Sequence, residues 1–201
     1  MKNWKDITLG QFLELNKALT IEDETEKMLE IASIVFGDEV ADLNLREFSK
    51  RLEELQFLKE EIPISNKVIK TYTIKGREYE LQGYLGNITT SQYIDFNNYS
   101  KDNSYNKMLA VFFIPKGHKY NDGYDMLQVF DDMLELPITV AQSTAFFFGR
   151  QFSTFIRIFQ RYSTHQIQKT DLPKEVKKNL KKIVENSADL VLSPLFSSSV
   201  K

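Results

Sequence analysis

Apolar residues recur at helical spacing through the first third of the chain. Thr8 followed by Gln11 is a capping box, in which each side chain satisfies a free donor at a helix start. It predicts a helix from about Leu9 to Leu19, with Leu9, Phe12, Leu13 and Leu19 inward and Trp4 folded back onto it. A second helix is expected over Asp23 to Phe36, burying Met28, Ile31, Ala32 and Val35, with Gly37 able to end it. Asn44 with Glu47 is a further cap signature, and the helix after it buries Phe48, Leu52 and Leu55. Pro63 closes this section.

The period then changes to two. Val68 to Ile74 and Arg77 to Leu85 read as strands joined by Lys75-Gly76, a tight hairpin turn. Val68, Tyr72, Ile74, Tyr79, Leu81 and Leu85 share one face; Thr71, Thr73, Glu78, Glu80 and Gln82 share the other. A two-stranded hairpin is marginal alone, so it must lie on the helices or pair with another strand.

Helical spacing returns after Gly86. Thr89 and Gln92 form a third box, and Lys107 to Ile114 reads as an apolar helix stopped by Pro115 and Gly117. A turn-rich loop leads to a helix from about Tyr124 to Leu134. Thr139 and Gln142 suggest a fourth box, opening a long helix that reaches about Tyr162. Ala141, Ala145, Phe148, Phe152, Phe155 and Phe159 follow one another at steps of four, three, four, three and four, a seam of coiled-coil type. The seam fits the centre of a bundle covered by its own neighbours, or a surface for another chain or a membrane. The first placement is preferred because the chain needs a core. A last helix starts near Leu172-Pro173 and carries Val176, Leu180, Ile183, Val184 and Val191 on its apolar side.

These elements make an α+β protein, mainly α-helical: a helical bundle with one antiparallel β-hairpin. Residues 1–62 form an acidic helical section, 63–86 the hairpin and 87–201 an aromatic-rich helical section, integrated into one domain. With 201 residues and 42% hydrophobic composition, a buried core needs no staples.

Charge adds polarity along the chain. The net charge is −2, which does not indicate a nucleic-acid binder. Residues 1–100 hold 12 Lys/Arg against 18 Asp/Glu, whereas residues 101–201 hold 14 against 10. An acidic front and a basic back would allow head-to-tail attraction between copies. Arg150, Arg157 and Arg161 lie opposite the seam, in a stretch without acidic residues from Glu135 to Asp171. They suit an acidic partner, phosphates or a solvated face. Lys174, Lys177, Lys178, Lys181 and Lys182 form a basic face on the last helix, which fits a solvated surface first and a membrane surface or an acidic partner as alternatives. The start of the chain lacks an apolar signal region, and no run is long enough for a membrane span.

Candidate chemistry is sparse. There are no cysteines and two histidines, which removes thiolate chemistry, disulfides and multi-histidine metal sites. His118 sits in a Gly-rich loop without an orienting partner, and His165 follows the long helix near the negative end of its dipole. Asp131, Asp132 and Glu135 lack the ordered spacing of a calcium loop and read as helix-surface carboxylates. Nucleotide, hydrolase and metalloprotease motifs do not occur. No catalytic residue, metal ligand or cofactor is assigned.

Two stretches carry a resemblance. Trp4-x-x-Ile7-Thr8-Leu9-Gly10-x-Phe12 resembles the opening of small proteins from the structural gene modules of tailed phages, tail assembly chaperones among them. Gly83 to Phe96, GYLGNITTSQYIDF, with the later Phe112 to Gly117, FFIPKG, looks like proteins of phages of Bacteroides-type hosts, including crAss-like phages. The resemblance implies a non-enzymatic virion protein, internal cargo or tail-associated, assembled in the bacterial host cytoplasm. It would act in several copies through contacts with other phage structural proteins. A tail assembly chaperone and a small host-directed enzyme delivered on infection are the alternatives. The residues assigned to partner contact are Trp4, Phe12, Phe148, Phe152, Phe155 and Phe159, with Arg150, Arg157 and Arg161.

Overall fold

The computed structural model describes residues 2–37, 40, 42–82, 87–170 and 172–186; the side chains of 152–163, 166 and 183–186 lie outside that description. The expected Leu85, Val191, Phe152, Phe155, Phe159, Arg157 and Arg161 placements therefore fall outside the described atoms, as do those of Ile183 and Val184.

The chain is mainly helical with one small antiparallel sheet, the expected α+β class. Asn3 caps a 3-10 turn at Trp4–Asp6. Helix α1 (Leu9–Ala18) starts at Thr8, whose side chain accepts from the Gln11 N–H while Gln11 Oε1 accepts from the Thr8 N–H. Asp23 caps α2 (Glu24–Phe36), and Gly37 follows at φ 100°, a conformation L side chains rarely adopt. Asn44 caps α3 (Leu45–Glu54), which runs into a 3-10 turn at Leu55–Lys59.

Strands β1 (Thr71–Ile74) and β2 (Arg77–Leu81) pair antiparallel, with Tyr72 opposite Tyr79 and Ile74 opposite Arg77. Lys75 and Gly76 both have positive φ, 49° and 81°, as a type I′ turn requires. The hairpin is shorter than expected, because Val68 lies before the first ladder residue.

A third strand corrects the sequence reading. Helix α4 (Thr90–Lys101) opens on the expected Thr89–Gln92 box, and α5 (Tyr105–Ala110) ends four residues earlier than expected. Phe113–Pro115 is β3, paired with β2 through Tyr79↔Pro115 and Leu81↔Phe113. Val111 to Ile114 is apolar throughout and buried throughout. Such a run carries no period to separate strand from helix, and Pro115 disfavours helix at the residue before it. The sheet order is β1-β2-β3.

Asp125 caps α6 (Met126–Leu134), and α7 (Ile138–Lys169) follows after a short corner. The fourth capping box does not form: α7 begins one residue before Thr139, with Pro137 at the cap and no side-chain bond there. The first donors of α7 and α1 are met instead by each other's approach segments. Ile138 N–H donates to the Ile7 carbonyl and Leu9 N–H to the Leu136 carbonyl, both at 2.8 Å, around a Thr8↔Pro137 bridge. Helix α7 also runs past the expected Tyr162, so His165 lies within its last turns, exposed. Helix α8 (Lys174–Asn186) packs on α7.

The main core draws on all three sections: Ile7 and Leu15 from the front, Ile74 and Tyr79 from the hairpin, Met133 and Ile138 from the back. A second cluster joins Phe96, Met108, Val111, Phe112 and Phe148. Two inward assignments are corrected: Leu19 and Met28 are about half exposed, at 51% and 49%. Leu15 and Ala18 are the residues α1 buries in place of Leu19.

Candidate functional site: an apolar cleft and a buried carboxylate

A cleft of about 280 Å³ opens between α1, α5 and α7. Each helix gives it one stripe. Helix α1 contributes Leu9, Phe12, Leu13 and Asn16, spaced as one helical face. Helix α5 and the residue pair after it contribute Tyr105, Met108, Leu109 and Phe112 at the same spacing. Helix α7 contributes Ile138, Ala141, Gln142, Ala145 and Phe148. Phe96 of α4 and Ile64 also line it.

The aromatic seam explains why space is left here. Its described part runs Ala141, Ala145, Phe148. Two methyl groups face α1 where phenylalanines stand farther along, so the walls do not meet. Phe148 is 2% exposed and stacks on Phe112, ring centres 3.9 Å apart and 20° between planes. All three line the cleft, Ala141 and Phe148 as buried members of the core and Ala145 as a half-buried wall residue.

The lining is neutral. Its polar members are Asn16, Gln142 and the Tyr105 hydroxyl. A lining of this kind receives hydrocarbon or aromatic groups and offers a few amide contacts for orientation.

The residues expected to meet a partner divide. Phe12 and Phe148 are brought together in the cleft. Arg150 is exposed, its guanidinium 5.8 Å from the ring centre of Phe146, another lining residue. Trp4 is corrected: it is 8% exposed, packs edge-on against Phe57 at 5.4 Å and Phe12 at 6.3 Å, and donates Nε1–H to the Glu60 carbonyl at 3.0 Å. It supports Phe12 from behind and presents no docking surface. Tyr105, Met108 and Phe112 were not singled out in the sequence because the helix break after Ala110 was not legible.

A second constellation was misread as surface. Asp132 of α6 is 0% exposed, while Asp131 and Glu135 are exposed as expected. Arg77 clamps its carboxylate with two bonds, Nε to Oδ2 at 2.7 Å and Nη2 to Oδ1 at 2.8 Å. The Tyr79 hydroxyl donates to Oδ2 and Gln128 Nε2 to Oδ1 at 3.2 Å. Burial raises the Asp132 pKa, but the Arg77 and Tyr79 bonds, the Arg77 charge and Gln128 outweigh it, and the carboxyl sits below its ordinary range. Burial, then the bond to Asp132, pushes the Tyr79 phenol well above its ordinary value. Both carboxylate oxygens of Asp132 are bonded within the fold, and the group clamps β2 to α6.

Among the described residues no group of His, Asp and Glu has metal-ligand geometry. His118 is exposed and edge-on to Tyr124, ring centres 5.8 Å apart, with Nδ1 3.3 Å from the Asp122 carbonyl. Among the described residues no helix is long and apolar enough to cross a membrane. No protein-family model matches the chain, and neither do curated proteins or solved structures.

Proposed function

We propose that the chain is a non-enzymatic contact protein of a tailed-phage particle, an internal or tail-associated component. The observation that carries the contact role is the neutral, three-stripe cleft between α1, α5 and α7. Its volume of about 280 Å³ falls just below the ~300–1,000 Å³ of sites that enclose drug-sized ligands. It suits a few apolar side chains from one helical face of another particle protein, seated as a helix seats in a groove. The phage setting rests on the resemblance of Trp4 to Phe12, Gly83 to Phe96 and Phe112 to Gly117. Phe12, Phe96 and Phe112 also line the cleft, so each resembling stretch contributes to its lining.

Mass spectrometry of purified particles tests this reading. The chain is expected at fixed stoichiometry to the major structural proteins. Its absence from particles, with recovery beside a tail protein from infected cells, would transfer the reading to an assembly chaperone.

A further inference from the structure

We propose that the basic face of α8 docks on the acidic face of α2 in a second copy of this chain. The inference is independent of the phage reading and of the cleft.

Lys174, Lys177, Lys178, Lys181 and Lys182 follow one another at steps of three, one, three and one, so all five share one arc of α8. With Gln168 of α7 they line a shallow recess of about 390 Å³. Lys177 Nζ donates to the Gln168 carbonyl at 3.1 Å. Among the described residues no carboxylate is ion-paired with any of the five. Five ammonium groups on about two and a half helical turns repel one another and are relieved by an anionic partner.

The same chain carries the complement. Glu26 and Glu30 stand one turn apart on α2, and Glu22 lies in the bend before it, all exposed. Glu24 is taken by Lys27 at 2.7 Å, whereas Glu22, Glu26 and Glu30 have no ion pair among the described residues. Four-residue steps rise about 6 Å on any α-helix, so the rows Glu26–Glu30 and Lys174–Lys178–Lys182 are commensurate. Leu29 is exposed beside Glu26 on α2, whereas Met28 on α2 and Val176 on α8 lie on the faces opposite the charged rows.

Net charge separates this occupant from a polyanion. A nucleic acid or an anionic bilayer would attract α8 but repel a chain of net charge −2 whose front half is acidic. A second copy shares the net charge of −2 but, unlike a polyanion, carries its negative excess in the half that holds α2 and a positive excess in the other half. The two faces are different, so each contact leaves one face free on both copies. The contact therefore propagates into a ring or a row, unless two copies exchange both faces.

The test is sedimentation of the full chain at about 20 mM and about 500 mM salt, which shifts the screening length severalfold. Self-association at low salt is expected, weakened tenfold or more at high salt. Two reversed variants are compared: Lys178→Glu with Lys181→Glu and Lys182→Glu, and Glu22→Lys with Glu26→Lys and Glu30→Lys. Each alone is expected to be monomeric and their equal mixture to associate again. Lys→Gln at the same three lysines, a milder change to α8, is expected to weaken association as well. A wild-type chain that stays monomeric at low salt overturns the proposal. So does a mixture of two folded reversed variants that stays apart. Binding of a duplex DNA oligonucleotide or phosphatidylserine vesicles by a monomeric wild type would assign α8 to a polyanion instead.

Discussion

Arg77 and Asp132 meet through two parallel hydrogen bonds of 2.7 and 2.8 Å, the carboxylate wholly buried and the guanidinium partly in water. Fork-on-carboxylate geometry fixes direction as well as distance. It holds the hairpin against α6 with one orientation.

Asp132→Asn keeps the shape and removes the charge. A loss of about 2 kcal/mol is expected, since hydrogen bonds to a charged group are worth ~1.5–3 kcal/mol. Arg77→Ala should cost more than Asp132→Asn, because it leaves a buried carboxylate without its counter-charge. Urea unfolding followed by circular dichroism measures both.

The depressed Asp132 pKa has a pH signature. Its stabilising contribution is present above the carboxyl's ordinary pKa of about 4 and is lost as pH falls through the lower folded value. Below about pH 4 the stability of the wild type should therefore fall more steeply than that of Asp132→Asn.

Alkaline pH acts through the tyrosines. Tyr120 is raised by burial and then by its bond to Asp95, donated at 2.7 Å. Tyr79 is raised by burial and by Asp132. A raised phenol stabilises the fold fully below the ordinary value of about 10, and that stability is lost as pH climbs toward the folded value. Unfolding should set in above about pH 10, with ionisation of both phenols seen by ultraviolet absorbance only as the chain unfolds. Tyr120→Phe should flatten that dependence.

Gly10 lies where α1 crosses the end of α6. A Cβ there would stand 3.3 Å from the Leu134 carbonyl oxygen and 3.4 Å from Leu134 Cβ. Alanine would add up to ~1 kcal/mol of helix propensity, but crowding of a packed crossing costs ~1–3 kcal/mol. Gly10→Ala should be net destabilising by roughly 1 kcal/mol, read as a lower urea midpoint.

Thr144 Oγ1 is buried with no hydrogen-bond partner among the described residues. Thr144→Val removes that hydroxyl at nearly constant shape and should stabilise by about 1 kcal/mol. A drop in melting temperature would show that the hydroxyl is satisfied.

Ala145→Leu places a larger side chain in the cleft. The fold should keep its melting temperature within a few degrees, while an apolar fluorescent dye loses most of its binding. Unchanged dye binding would place the bound apolar group elsewhere.

Local signals were read well from the sequence. The Thr8 and Thr89 boxes formed because both partners lie within one turn and need nothing distant. The hairpin turn at Lys75-Gly76 was legible for the same reason. Thr139 did not cap because α7 starts one residue earlier, at Ile138, whose N–H is held by the Ile7 carbonyl, so Thr139 lies inside the helix. Strand β3 was missed because Val111 to Ile114 is buried on both sides and shows no alternation. Asp132 was misplaced because Arg77 and Tyr79 arrive from another section, and a helical carboxylate beside Asp131 and Glu135 looks like surface. The cleft was half legible: Phe12 and Phe148 stood out, whereas Phe112 and Met108 depend on where α5 stops.

The exchange of donors between Leu9 and Ile138 sets an order in time. At ~5–20 residues per second, synthesis delivers Ile138 on the order of ten seconds after Leu9. Until then Leu9 has no Leu136 carbonyl to donate to, and the apolar stripe of α1 has no α7 to face. Helix α1 therefore gains its α7 partner late, whereas its packing on α2 and the Trp4–Phe12 contact need nothing beyond Phe36.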